Sequence, residues 1–137
     1  MKRIGSAHWE GDLKTGKGNL STQSTTLNKA QYSFNTRFAD GVGTNPEELL
    51  AAAHAGCFTM AVSLILGRAG FTATLLDTVA SVNLEGLAIT GVHLSISGKV
   101  ANLSDLQFSE ITKSAEKNCL VSKVLNIPIT SDATLLK

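Results

Sequence analysis

The sequence predicts an α+β fold in a single domain spanning residues 1–137, with strands and helices arranged in blocks rather than alternating regularly. Three observations carry this expectation. Residues 1–40 read mainly as strands. Residues 49–67 form an apolar run without a charged side chain, behind a strong helix-start signal. Residues 72–101 then return to strand-like alternation before a second helix and a final strand.

Within the first block, residues 18–26 are polar and β-tolerant, and residues 27–30 suit a turn. Residues 31–38 alternate most cleanly. As a strand they would place Tyr32, Phe34, Thr36 and Phe38 on one face, with Gln31, Ser33, Asn35 and Arg37 on the other. After a glycine-rich loop, Asn45 suits a helix N-cap, Pro46 the first helical position, and Glu48 the return half of a capping box. The predicted central helix covers residues 45–69, with Gly70 as its stop. Its length is roughly 36 Å, long for so small a domain.

Residues 78–84 and 92–100 alternate as strands. In the latter, Val92, Leu94, Ile96, Gly98 and Val100 oppose His93, Ser95, Ser97 and Lys99. A second helix is expected over residues 104–120, opened by Ser104 with Gln107 in a capping box. Phe108, Ile111, Ala115 and Cys119 fall on one face of it. A final strand over residues 127–134 closes the chain. No internal repeat or low-complexity segment interrupts the pattern.

Composition narrows the function classes. The 137 residues are 43% hydrophobic and 17% charged, as globular chains are. The net charge is +1, and Lys and Arg are scattered. With one Trp, one Tyr and five Phe, neither a basic stripe nor a stacking platform for nucleic acid exists. The apolar run 49–67 is long enough to raise a membrane reading. It contains His54, Gly56, Cys57, Thr59 and Ser63, however, and no aromatic belt flanks it. Burial between subunits is the expected explanation. The start, Met1-Lys2-Arg3-Ile4-Gly5, turns polar without the apolar core of a signal peptide, so the expected compartment is the cytoplasm.

The chain has two cysteines, Cys57 and Cys119, too widely separated for a compact zinc pattern. Each has a packing reading, since free cysteine behaves as a small buried hydrophobe. Together, in a reducing compartment, they also form one potential dithiol. A reactive thiol works as its thiolate, which burial opposes, so a cation must lie beside it. Arg37 suits that task because it stays charged and donates from a rigid plane. Glu47 complements the helix dipole from the first turn. Ten residues along a continuous helix, roughly 15 Å, separate it from Cys57. A second subunit or a helix break would have to bring those two together. His54 lies one turn before Cys57 and reads as mainly structural. His8 and His93 read as surface residues. No metal, flavin or haem is expected.

Four segments carry a resemblance. Residues 7–11 (Ala-His-Trp-Glu-Gly), 35–38 (Asn-Thr-Arg-Phe), 43–49 (Gly-Thr-Asn-Pro-Glu-Glu-Leu) and 52–58 (Ala-Ala-His-Ala-Gly-Cys-Phe) are similar to the OsmC/Ohr family of thiol peroxidases. The likeness extends to Asn118-Cys119 and Val121-Ser122, and the Asn-Thr-Arg-Phe segment favours the osmotically inducible protein C (OsmC) branch. It implies an intertwined α+β homodimer with shared active sites. Cys57 would be peroxidatic and Cys119 resolving, with Arg37 and Glu47 completing the site. The implied substrate is an organic hydroperoxide, and hydrogen peroxide a weaker one. The implied reductant is an external dithiol, with a lipoyl-type dithiol one candidate. Two departures stand out: Leu120 where relatives often have proline after the second cysteine, and Gly56 where they often have alanine. Leu120 bears on how the second helix ends, and so on how Cys119 reaches Cys57. Competing readings are a non-catalytic, stress-related binding dimer with packed cysteines, and a thiol hydrolase using Cys57 and His54.

Overall fold

In the computed structural model, which describes residues 1–137, strand β1 (Gly5–Glu10) pairs antiparallel with β2 (Lys17–Thr22), and β2 with β3 (Ala30–Tyr32). Gly18 lies opposite both Trp9 and Tyr32. A Cβ there would come within 2.6 and 2.7 Å of their rings, so glycine lets the two aromatics meet over it at 5.4 Å between centroids. These strands, helix α1 (Phe34–Phe38) and the first residues of helix α2 (Pro46–Arg68) make up one unit, Met1–Leu49.

The strand expected over residues 31–38 is corrected: β3 ends at Tyr32, and α1 follows. Ser33 caps α1, its hydroxyl accepting the Thr36 N–H while Thr36 Oγ1 accepts the Ser33 N–H. The misreading has a geometric cause. Positions four apart share a face in a strand and in a helix alike, so the pattern of Phe34 and Phe38 suits either; only the helix brings them together, with ring centroids 4.9 Å apart. Two local hydrogen bonds decide for the helix. Arg37 does not point away from the aromatics as expected but lies over the Phe38 ring, 5.0 Å from its centroid.

The second unit, Leu50–Lys137, holds the rest of α2, strands β4 (Ala73–Glu85), β5 (Ala88–Val100) and β6 (Ile129–Leu135), and helices α3 (Asp105–Asn118) and α4 (Leu120–Val124). The sheet order is β4-β5-β6, with β4 and β5 antiparallel but β6 parallel to β5. The alternation read in residues 92–100 holds: Val92, Leu94, Ile96 and Val100 are buried, while His93 and Lys99 are exposed. Gly98 is required there, because a Cβ would come within 2.8 Å of Leu76 and Phe108. Gly70 stops α2 as expected, at φ +87°. The capping box of Ser104 and Gln107 is also present. The second helix breaks at Cys119, which ends α3 and caps the short α4.

Within this unit Phe58, Val62 and Leu66 of α2 join Leu94, Ile96, Phe108, Ala115 and Cys119 in one core. Each large side chain removed from water contributes about 1.5–3 kcal/mol. The opposite side of α2 is bare: Met60 is 76% and Leu64 54% exposed, and a Cβ at Gly56 or Gly67 would touch nothing. By length and composition alone the helix is apolar enough to cross a membrane. A bare apolar stripe of this kind is also what a subunit interface requires. A second copy covering it predicts a mass by light scattering of about twice the 14.4 kDa chain at micromolar concentration, without detergent. A monodisperse 14.4 kDa particle would contradict that cover.

Candidate functional site

The Met1–Leu49 unit brings Arg37 and Glu47 together. Asn45 makes this possible by bonding in two directions. Its Oδ1 accepts the Glu48 N–H at 2.7 Å, capping α2, and its Nδ2 donates to the Thr36 carbonyl at 3.0 Å. The last turn of α1 is thereby tied to the first turn of α2. The expected return bond from Glu48 is not made; its Oε1 accepts instead from the Thr44 hydroxyl at 2.7 Å.

Arg37 donates to Glu47 Oε1 from Nη2 at 2.6 Å and from Nε at 3.1 Å, with a longer Nε contact of 3.4 Å to Oε2. The Glu47 side chain is 11% exposed and that of Arg37 36%. Such a two-point grip fixes the plane of the guanidinium, which a lysine could not offer. Burial alone would raise the Glu47 carboxyl, but the hydrogen bonds from Arg37 and its own backbone, with the Arg37 charge, hold it below its ordinary value of 4.5. The same bonds raise Arg37 above its already high value. Arg37 also lines an open pocket of about 220 Å³ whose other walls include Trp9, Leu13, Tyr32, Phe34 and Phe38. The pocket is aromatic and apolar, with a cation at its edge.

The other two candidates belong to the Leu50–Lys137 unit, and both are free thiols. Cys57 is partly buried on α2, against the core. Cys119 is 2% exposed. Its Sγ accepts the Ser122 N–H at 3.3 Å and lies 3.1 Å from the Ser122 hydroxyl. Leu120 and proline would both suit this end of the helix. Cys119 is extended (φ −64°, ψ 145°), the conformation a following proline would impose, and residue 120 opens α4, where proline would be tolerated.

Sequence reasoning missed one connection. His54 is fully buried, and its Nε2 lies 2.7 Å from the same Ser122 hydroxyl. Nothing local signals a bond between residues so far apart in the chain. His54 makes no hydrogen bond to Cys57; its partner is Ser122. His8 and His93 are exposed as expected, although His93 is paired, with Asp132 at 2.6 Å and Thr130 at 2.7 Å.

The fold and these residues define a class: α+β chains that carry two unpaired cysteines and an arginine gripped by a glutamate. The chain belongs to the OsmC-like protein family, whose model matches residues 39–132. It is 51% identical over 139 residues, 98% of this chain and 97% of the relative, to Peroxiredoxin OsmC of Escherichia coli (strain K12). Among solved structures, it resembles the OsmC-like protein of Mycoplasma pneumoniae (TM-score 0.73, 15% identity, covering 100% of this chain and 99% of that one). It also resembles the organic hydroperoxide resistance protein OhrB of Bacillus subtilis (TM-score 0.68, 19% identity, covering 97% and 98%). At these identities the structural matches establish the fold.

The Arg37–Glu47 grip has a pH signature. A carboxyl held below its ordinary value in the folded chain contributes stability that is fully present above the ordinary value and is lost as pH falls from there through the lower folded value. Glu47→Gln should therefore abolish part of the stability that the parent loses as pH falls below about 4.5, read from urea unfolding at several pH values. Equal acid sensitivity in parent and variant would show that the pair contributes nothing there.

Proposed function

We propose that the chain is a cytoplasmic cysteine-based peroxidase. It reduces organic hydroperoxides, and hydrogen peroxide more weakly, to the corresponding alcohol or water in defence against oxidative and osmotic stress. The Cys57 thiolate attacks the distal oxygen of the hydroperoxide. The O–O bond breaks, Cys57 becomes a sulfenic acid, and the alkoxide takes a proton to leave as alcohol. Cys119 then attacks the Cys57 sulfur, forming a disulfide and releasing water. An external dithiol, of which a lipoyl-type dithiol is one candidate, returns both thiols.

One observation carries this reading: a planar cation, fixed by Glu47, faces an apolar pocket. Such a cation stabilises both a thiolate and the negative charge growing on the departing oxygen. An aromatic pocket accepts the carbon skeleton of an organic hydroperoxide more readily than hydrogen peroxide. Half-identity with a peroxiredoxin over nearly the whole chain supports the same chemistry. In this reading the chain is an intertwined homodimer, and Arg37 and Glu47 of one subunit serve Cys57 of the other. The hydrolase alternative loses its base, because His54 is engaged by Ser122.

Reduced protein treated with one equivalent of cumene hydroperoxide should lose two thiols per chain. Cys57→Ser should consume no peroxide while keeping its fold, since oxygen for sulfur barely changes volume. Cys119→Ser should complete one turnover and stop with an oxidised Cys57, visible by mass spectrometry. Arg37→Ala should shift alkylation of Cys57 by iodoacetamide to higher pH. Arg37→Lys should restore it only in part, and Glu47→Gln should cost less than Arg37→Ala. Parental peroxide consumption by Cys57→Ser would sink the assignment.

A further inference from the structure

Three side chains from separate helices meet inside the second unit: His54 of α2, Ser122 of α4, and Cys119 between α3 and α4. The Ser122 hydroxyl lies 2.7 Å from His54 Nε2 and 3.1 Å from Cys119 Sγ, so it bridges the imidazole and the thiol. All three are buried, His54 at 0%, Cys119 at 2% and Ser122 at 8% exposure. A fully buried histidine costs desolvation unless something fixes it, and here one nitrogen is bonded to Ser122 while Nδ1 has no protein partner. Packing alone does not call for this bridge, since an apolar side chain would fill the same volume without the desolvation cost.

We propose that Ser122 and His54 form a relay that receives the proton of Cys119 when this thiol attacks Cys57, making His54 a positioning residue for disulfide closure. This rests on the peroxidase reading given above. The Cys119 S–H donates to Ser122 Oγ, and the Ser122 O–H donates to the lone pair of His54 Nε2. As the Cys119–Cys57 bond forms, the thiol proton passes to Ser122, and the Ser122 proton passes to His54. The S–O bond of the Cys57 sulfenic acid breaks, and the departing hydroxide takes up the proton that His54 releases, leaving as water. No oxidant beyond the hydroperoxide already consumed is needed.

The surroundings suit a neutral acceptor. Burial holds the imidazole below its ordinary 6.5, and it is the sole cause of that shift. Of the charged groups on the neighbouring elements, Asp77, Glu85 and Lys99 of the sheet, Asp105, Glu110, Lys113 and Lys117 of α3 and Lys123 of α4 are exposed, the half-buried Glu116 of α3 is paired with Lys113, and His93 is occupied by Asp132. Cys57 and Cys119 are the other titratable groups in the same core. Burial thus favours the uncharged imidazole, the form whose lone pair can take a proton.

The test isolates closure from peroxide chemistry. Cys57 is loaded with thionitrobenzoate from Ellman's reagent, and Cys119 then displaces it, releasing the yellow thiolate as the disulfide closes. In the parent this release should be fast and nearly independent of pH from about 6 to 8. Ser122→Ala and His54→Gln should slow it at least about tenfold at neutral pH and make it climb with pH, as expected when a general base is lost. Ser122→Thr, which keeps the hydroxyl, should restore most of the rate and the flat profile, separating the relay from loss of packing. Parental rates and profiles in Ser122→Ala and His54→Gln, or no release from the parent itself, would overturn the proposal. A parent that closes through the relay yet consumes no hydroperoxide would support the relay and refute the peroxidase reading.

Discussion

One side of helix α2 is covered within the chain and the other is not, and that asymmetry governs the rest. His54, Phe58, Val62 and Leu66 recur every fourth residue, so they share one side and join the core of the second unit. Gly56, Met60, Leu64 and Gly67, at spacings of three and four, lie on the other side: the two methyl-bearing side chains are exposed and nothing packs over the two glycines. A helix apolar all round is stable only when enclosed all round. Covering its free side with a second copy gives a reason for the length of α2. It also gives a reason for the absence of charge between its two ends, and for the wide separation of Glu47 from Cys57 along one rod.

The first turn of α2 has a second role. A carboxylate there is favoured by the free N–H groups and by the helix dipole, so Glu47 would be comfortable ionised even without a partner. Arg37 exploits a charge that the helix already stabilises. Asn45 closes the arrangement by bonding forward to α2 and back to α1. The arginine is therefore held in a fixed plane, its Nε and Nη2 both engaged by Glu47. Orientation fixed before the reaction is what makes a cation effective at the moment charge develops.

Much of this was legible in the sequence where one residue type answers one local demand. Asn45-Pro46 and Gly70 marked the ends of α2, Ser104 with Gln107 marked the start of α3, and the alternation through Val92–Val100 marked the buried face of β5. Helix α1 was not legible, because phenylalanines four apart satisfy a strand and a helix equally, and the decision rests on one hydroxyl exchange between Ser33 and Thr36. The break at Cys119 was hidden because α4 is a short helix capped by a thiol rather than by a usual N-cap residue. The bond from His54 to Ser122 and the parallel pairing of β6 depend on tertiary approach, which no local pattern encodes. Among the site residues, the resemblance singled out Arg37 and Glu47, while the structure adds the grip between them and its link through Asn45.

The central claim of the proposed function is that each site is composite, with Arg37 and Glu47 of one subunit acting on Cys57 of the other. The most direct measurement is complementation between the inactive Cys57→Ser and the impaired Arg37→Ala, co-expressed with different affinity tags so that the mixed dimer can be isolated. A composite arrangement leaves the mixed dimer one intact site, Cys57 from one subunit and Arg37 from the other, beside one site lacking both. Its hydroperoxide consumption should therefore recover to about half that of the parent dimer, as two-fold symmetry dictates. A mixed dimer no more active than either parent variant would place Arg37 and Cys57 of each site in the same chain and contradict the account.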